Sequence, residues 1–260
     1  MQWFFALNDS ATEWFEPMIK VGVHSAIENT RLQPVCLFDG EPNHLTSWLD
    51  EHGVTVIRTS VPFRDELFSP ETIATNEATP YRPDHAAGAF LRTQAFRYAE
   101  SDIFLYTDCD VMFLDGAISV APRTSRIAAV PEMTGPNSFN SGVMLINKTF
   151  FAHHHDALVS YIRRHGFYHK DKSSYDQCFL NEYFSKQWDR LSLGLNWRPV
   201  QGVNEDASII HFHGPKPTRI QAILSGNALD AEAPMSWLIE QARDAYEIYT
   251  KQFYDYLSRC

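Results

Sequence analysis

The sequence predicts an α/β domain with a central, mostly parallel sheet and helices on both faces, and three observations support this. Short apolar runs alternate with longer amphipathic ones through the first half, in the order β-α-β-α-β, which requires parallel strands joined by crossover helices. A run of strand formers, Ile103, Phe104, Leu105 and Tyr106, leads directly into Asp108-Cys109-Asp110. The chain has 260 residues, 44% hydrophobic and 21% charged, enough to bury a substantial core at the upper end of single-domain size.

Taken in order, Trp3–Leu7 is a first strand. Trp14–Ile27 has helical spacing through Phe15, Met18, Ile19, Val23 and Ile27. Val35–Phe38 is the second strand, His44–Glu51 a helix and Val54–Ile57 the third strand. Residues 60–83 hold Pro62, Pro70, Pro80 and Pro83 with weak periodicity, and read as a long loop at the sheet edge. Ala86–Tyr98 reads as one helix and Ile103–Thr107 as the strand that carries the carboxylates. Strands at Ile127–Val130 and Val143–Ile146, helices at Phe150–Arg164 and Tyr175–Tyr183, and a strand at Ser208–Phe212 follow. From Ser236 onward, Leu238, Ala242, Tyr246, Tyr249, Phe253 and Leu257 give one apolar face of a terminal helix. With no repeat, low-complexity tract or linker in view, residues 1–260 are expected to form one domain, 218–260 being a helical tail docked on it.

The formal net charge is −10, with 22 basic against 32 acidic residues, which argues against a nucleic-acid surface or a polybasic membrane anchor. Cys36, Cys109, Cys178 and Cys260 form no C-x-x-C, so free thiols in a reducing compartment are expected. The start, Met1 to Asn8, has no basic region of a signal peptide, and no run of apolar residues is long enough for a membrane span. A cytoplasmic protein without an integral membrane segment is the expectation. The N-x-S/T matches at Asn8 and Asn147 are read as chance.

Ligands of open α/β sheets collect beyond the carboxyl ends of strands. Two carboxylates placed there with no basic residue beside them make a hard oxygen site for a divalent cation, which commonly serves a phosphate. Three further segments join Thr107–Asp110: Phe139–Asn147, where small polar residues precede an apolar strand; Tyr175–Asn181; and His211–Pro217, a strand end entering a Gly/Pro turn that holds Lys216. Each alone has a plain reading. The paired aspartates could be loop or cap carboxylates, Asn140-Ser141-Gly142 a turn, Asp176-Gln177 the first turn of a helix, His211 a core histidine and Lys216 a solvated lysine. His153-His154-His155 reads as a mostly solvated helix face, since consecutive helical residues diverge.

Together and in this order, the segments resemble the family 8 retaining glycosyltransferases, the group of glycogenin and bacterial lipooligosaccharide galactosyltransferases. The family's marks are an apolar strand into D-x-D, then F-N-[AS]-G-V-[LM]-L-I-N, then D-Q-D-x-L-N, then H-[FY]-x-G-x-x-K-P. Here they stand at Asp108–Asp110, Phe139–Asn147, Asp176–Asn181 and His211–Pro217, and the resemblance covers roughly residues 3–217. Ala89-Phe90-Leu91-Arg92 looks like the family's Y-x-R-L segment, and Phe5-Ala6-Leu7-Asn8 like its opening nucleotide-binding strand. Two departures stand out. Gly214-Pro215-Lys216 is one residue shorter than G-x-x-K, and Cys178 replaces the family's second Asp.

The resemblance implies a GT-A (Rossmann-like) fold with a mixed, mostly parallel sheet, a nucleotide diphosphate sugar donor (most often UDP-linked), and a saccharide or glycoconjugate acceptor. It implies Mn²⁺, or Mg²⁺, on Asp108, Asp110 and His211; an imidazole in the set fits Mn²⁺ better. Lys216 and the Gly214 amide would bind the diphosphate, Ala6 and Asn8 the nucleoside, and Arg92, Asn140, Asp176 and Gln177 would surround the donor sugar. Gln177 would offer a neutral oxygen to the anomeric carbon, and with no carboxylate in its place, front-face transfer is expected. The acceptor is expected to meet 60–83 and the segment after Pro217.

Three rivals are weaker. A phosphohydrolase of the haloacid-dehalogenase kind wants Thr or Val where Met112 stands, and leaves the histidine motif unexplained. A nucleotidyltransferase lacks its Gly-rich loop after the first strand. A sugar-nucleotide-binding pseudoenzyme is at odds with intact Asp108, Asp110, His211 and Lys216.

Overall fold

The computed structural model describes residues 1–114, 123–133, 135, 137–172, 174–227 and 233–260, with the backbone alone at 233–235. It divides into two compact units. The first takes Met1–Trp14, Leu32–Asp108 and the described residues of 122–191; the second takes Phe15–Arg31 and the described residues of 109–121 and 192–260.

Elements are numbered along the chain. The first unit contains β1 (Gln2–Asn8), β2 (Gln33–Asp39), β3 (Thr55–Arg58), β4 (Ile103–Thr107), β6 (Ile127–Pro131), β7 (Phe139–Asn147) and β8 (Trp188–Arg190). They form one sheet in the order β3-β2-β1-β4-β7-β6-β8. β3, β2, β1 and β4 run parallel, β7 is antiparallel to β4 and to β6, and β8 is parallel to β6. The mixed, mostly parallel sheet agrees with the sequence reading. β7 reverses because the link from β6 is only hairpin length, too short for a parallel crossover. β1 and β7 are buried almost throughout, as strands covered on both faces must be, and their apolar runs already said so.

The helices of this unit are α2 (His44–Glu51), α3 (Arg64–Leu67), α4 (Pro70–Thr75), α5 (Pro83–Leu91), α6 (Ala95–Tyr98), α7 (Lys148–Arg164) and α8 (Asp176–Tyr183). Asn43 caps α2 in a reciprocal capping box with Thr46, which fixes its start. The 60–83 segment is not a plain loop, because it holds α3 and α4. Ser69 caps α4 and Pro70 occupies its first turn, where a missing N–H costs nothing. Nor is 86–98 one helix. It is interrupted by a 3₁₀ turn at Arg92–Gln94. The histidine run also differs from expectation: His153 is exposed but His155 is buried, its ring packed on Phe96 and its Nε2 3.3 Å from Gln94 Nε2. Asn147 caps α7, and Asn8 is buried, so both N-x-S/T asparagines serve the fold. Phe4, Leu37, Phe63, Phe90, Phe104, Met144, Leu158 and Phe179 lie at the centre of this unit's core.

The second unit has its own core of Met18, Val21, Met112, Ile210, Phe212, Ile220, Tyr246, Tyr249 and Phe253. It contains most of α1 (Thr12–Asn29), the antiparallel pair β5 (Val111–Phe113) and β9 (Ile209–His211), and α9 (Pro217–Leu224), α10 (Ala233–Gln241) and α11 (Arg243–Leu257). The expected single terminal helix is two, broken at Ala242, whose ψ of 47° is not helical. The four cysteines are free. Among the described residues no helix is long and apolar enough to cross a membrane.

Candidate active site

In the first unit the site is organised by Arg92. The 3₁₀ turn between α5 and α6 carries this arginine inward, where it is 7% exposed. Its Nη2 donates to Asp108 Oδ1 at 2.6 Å and its Nη1 to Ser141 O at 2.9 Å. Its Nε lies 2.7 Å from Asp176 Oδ2 while donating to Ala89 O at 3.2 Å, and the guanidinium lies over the Tyr106 ring. Burial works to lower the Arg92 pKa, but the carboxylates of Asp176 and Asp108 outweigh it and raise it. Burial also pushes the Asp176 carboxyl above its ordinary range, against the pull of Arg92 and with Asp108 adding to the rise. Asp176 Oδ2 is buried and accepts no hydrogen bond from any described residue.

Asp108 follows β4, and its N–H donates to Gly142 O at 2.9 Å, tying it to β7. Thr107, fully buried, accepts from Trp3 Nε1 at 2.8 Å. α8 is fastened to β7 by Asn181, whose carboxamide accepts from Phe139 N at 2.7 Å and donates to Phe139 O at 2.8 Å. Gln177 Oε1 accepts from Ser141 N at 3.0 Å and from its hydroxyl at 3.3 Å. A backbone N–H can only donate, so it is the Gln177 oxygen that is held by Ser141. Asn140, fully buried, accepts from Gly142 N and donates to Glu132 Oε2, both at 3.0 Å. At the end of β1, Ala6 is half-buried, and the buried Asn8 donates to Asp84 O at 2.6 Å. Gly88 makes room for that amide, since a Cβ there would lie 3.3 Å from it.

In the second unit the site is organised by Asp110, 5% exposed and placed just before β5. Pairing of Val111 with His211 sets β5 and β9 in register, and Phe212 N donates to Asp110 O at 2.9 Å. His211 Nε2 lies 3.3 Å from Asp110 Oδ1. The Lys216 ammonium donates to Asp110 Oδ2, and to Phe212 O at 3.0 Å. Burial works to raise the Asp110 carboxyl, but the Lys216 charge, with His211 adding, holds it well below the ordinary range. The turn to Lys216 passes through Gly214 at φ +96°, a conformation that favours glycine.

Each expected site residue belongs to one of the two units. Ala6, Asn8, Arg92, Asp108, Asn140, Asp176 and Gln177 belong to the first unit; Asp110, His211, Gly214 and Lys216 belong to the second. The expectation that no basic residue attends the aspartates fails, since Arg92 pairs with Asp108 and Lys216 with Asp110. Glu132, Ser141, Asn181 and Asn196 went unnoticed as side chains that hold the others. For Asn181 and Ser141 the signal was present as letters of their motifs; for Glu132 and Asn196 there was none.

The galactosyltransferase LgtC, solved with donor and acceptor sugar analogues, matches 84% of this chain over 89% of its own, with a TM-score of 0.59 and 17% identity. The glycosyltransferase GlyE of Streptococcus pneumoniae TIGR4 matches 83% of this chain over 56% of its own, at TM-score 0.60 and 19% identity. The chain has the GT-A fold. Mouse xyloside xylosyltransferase 1 is a more distant GT-A neighbour, matching 82% of this chain over 98% of its own, at TM-score 0.52 and 14% identity. No protein-family model and no curated protein sequence matches the chain. At these identities the likeness establishes the fold, and the chemistry rests on the side chains.

Proposed function

We propose that this chain, residues 1–260 acting as one transferase domain, is a metal-dependent glycosyltransferase of the family 8 kind. It would move a hexose from a nucleotide diphosphate sugar, with UDP as the nucleotide, to a saccharide or glycoconjugate acceptor, with retention and in the cytoplasm. The observation that carries this is the Asp110–His211–Lys216 cluster: a buried carboxylate and an imidazole side by side, with an ammonium against them. That donor set suits a divalent cation of the Mn²⁺ type and an anionic group beside it. Asp108, two residues earlier in the chain, would complete the ligand set with Asp110 and His211.

When bound, the cation supplies Lewis-acid neutralisation of the charge on the leaving diphosphate. Lys216, released from Asp110, and the Gly214 amide would bind the same phosphates, and charge stabilisation of this kind is commonly the largest catalytic term. Ala6 and Asn8 would hold the nucleoside. Arg92 fixes Asp176, whose carboxylate would accept from a sugar hydroxyl. Asn140 would line the same side. Gln177 would lie near the anomeric carbon, and a carboxamide whose oxygen is held by Ser141 is ill suited to a nucleophilic role. Transfer at the front face, with the diphosphate taking the acceptor proton, fits this best. A glycosyl adduct trapped on Gln177 or a neighbouring carboxylate would overturn that part.

Calorimetric titration of nucleotide sugars with and without Mn²⁺, on wild type and Asp110→Ala, tests the reading. Metal-dependent binding of a UDP-sugar that the variant loses is expected. Binding without any slow metal-dependent hydrolysis of the donor would indicate a pseudoenzyme. Phosphate release from simple phosphate esters with no nucleotide-sugar binding would indicate the phosphohydrolase.

A further inference from the structure

His211 offers two ring nitrogens, and a metal can use only one that carries no proton. Within the second unit, His211 Nδ1 lies 2.9 Å from Asn196 Oδ1, with both residues almost wholly buried. A carboxamide oxygen accepts and cannot donate, so Nδ1 holds the hydrogen. In the neutral ring the lone pair then falls on Nε2, the nitrogen 3.3 Å from Asp110 Oδ1.

Asn196 is not free to drift from this position. It closes the 3₁₀ turn Leu193–Asn196, and Gly194 in that turn passes so close to Asp206 that a Cβ would lie 2.6 Å from the Asp206 carbonyl oxygen. Ser208 N donates to Gly194 O at 2.8 Å, Trp197 N to Ile209 O at 2.9 Å, and His211 N to Trp197 O at 2.8 Å. The turn is therefore laced to β9 on both sides of the Asn196–His211 contact. Outer hydrogen-bond partners of ligating histidines fix both tautomer and ring orientation. A neutral partner does this without adding a further charge to a site that already holds Asp110.

We propose that Asn196 is a positioning residue that commits His211 to bind the divalent cation through Nε2. This rests on the metal-dependent reading above. The test is Mn²⁺ binding by the full-length protein, read from the electron paramagnetic resonance of free Mn²⁺ with and without UDP, for wild type, Asn196→Asp, Asn196→Leu and Asp110→Ala. Thermal melting without metal is measured alongside. Asn196→Asp keeps an accepting oxygen in the same place and should bind Mn²⁺ within about 3-fold of wild type, whereas Asn196→Leu should weaken binding about 10- to 100-fold. Wild-type affinity in Asn196→Leu overturns the inference. So does an Asn196→Asp protein that melts normally yet has lost Mn²⁺, and this arm stands even where Asn196→Leu fails to fold. If wild type itself binds no Mn²⁺, or Asp110→Ala binds as well as wild type, the metal reading falls and takes this inference with it.

Discussion

Replacing Arg92 with methionine tests the logic of the first unit's site most directly, because one guanidinium serves two carboxylates and two carbonyls. Removing one partner from a buried ion pair costs about 3–5 kcal/mol, since the other charge stays behind unpaired. Asp108 keeps 31% of its side-chain exposure and can turn to water, so little of that cost falls on it. Asp176, at 14%, cannot. Loss of the bond to Ser141 O adds about 1 kcal/mol, so a total near 4 kcal/mol is expected, or roughly a 10 °C fall in Tm for a chain of this size. The loss should depend on pH. Burial already raises the Asp176 carboxyl, and without Arg92 it rises further. A carboxyl whose folded pKa exceeds its unfolded value is stabilised by protonation, so the contribution is present at low pH and lost as pH rises through the folded value. The deficit of Arg92→Met should therefore shrink from pH 7 towards pH 4.5, and Asp176→Asn in the same background should recover about 1–3 kcal/mol at pH 7. Urea denaturation at the two pH values measures both effects. A deficit under about 1 kcal/mol, one that is the same at both pH values, or a double variant no more stable than the single would refute the reasoning.

Three further outcomes follow from the same contacts. Tyr246 is buried, its hydroxyl meets no hydrogen-bond partner among the described residues, and burial pushes it up to about 12. Its stabilisation is complete below about pH 10 and is lost as pH climbs through the folded value, so Tyr246→Phe should remove that alkaline loss, worth about 2 kcal/mol, in melting curves taken from pH 9 to 12. Lys216→Met leaves Asp110 without its ammonium, so the variant should melt lower without metal, and Mn²⁺ should raise its Tm by more than it raises that of wild type. Asn181→Leu removes both partners of the Phe139 peptide groups and should cost about 2–3 kcal/mol by urea denaturation, with donor turnover falling as α8 loosens from β7.

The parts of the fold that could be read from sequence were those whose cause is local. The helix at His44–Glu51 begins and ends as expected because Asn43 and Thr46 state its start in adjacent letters. The apolar runs of β1, β2, β4 and β7 needed only burial on both faces to be strands. The misses share a different cause. β5 and β8 are three residues long and exist through partners at 209–211 and 127–129, far along the chain. Prolines at 62, 70, 80 and 83 suggested a loop, although Pro70 and Pro83 sit in first turns and help to start α4 and α5. His155 was misjudged because only the packing of α7 against Phe96 decides which of three consecutive histidines faces inward.

For the site, sequence order named the residues but not what each is joined to. Arg92 and Asp108 are sixteen apart and Lys216 and Asp110 more than a hundred, so no spacing rule could show that both aspartates arrive already neutralised. This changes the chemistry expected of them. A pair of bare carboxylates would take a cation at once and strongly, through simple attraction. Carboxylates already paired with Arg92 and Lys216 gain less from a cation, because it must first displace a charge that is present. In the second unit the displaced group is an ammonium on a flexible stem, beside a turn at Gly214. On the metal-dependent reading, Lys216 would lose its carboxylate when a cation arrives, and would recover a counter-charge from a phosphate that comes with it. Cation and diphosphate should therefore bind each other's complexes more tightly than the empty protein, and by linkage the factor must be the same in both directions. Titrating Mn²⁺ with and without UDP, and UDP with and without Mn²⁺, measures that factor twice. In Lys216→Met it should shrink, since the displaced ammonium is gone, and an undiminished factor would place the origin of the coupling elsewhere.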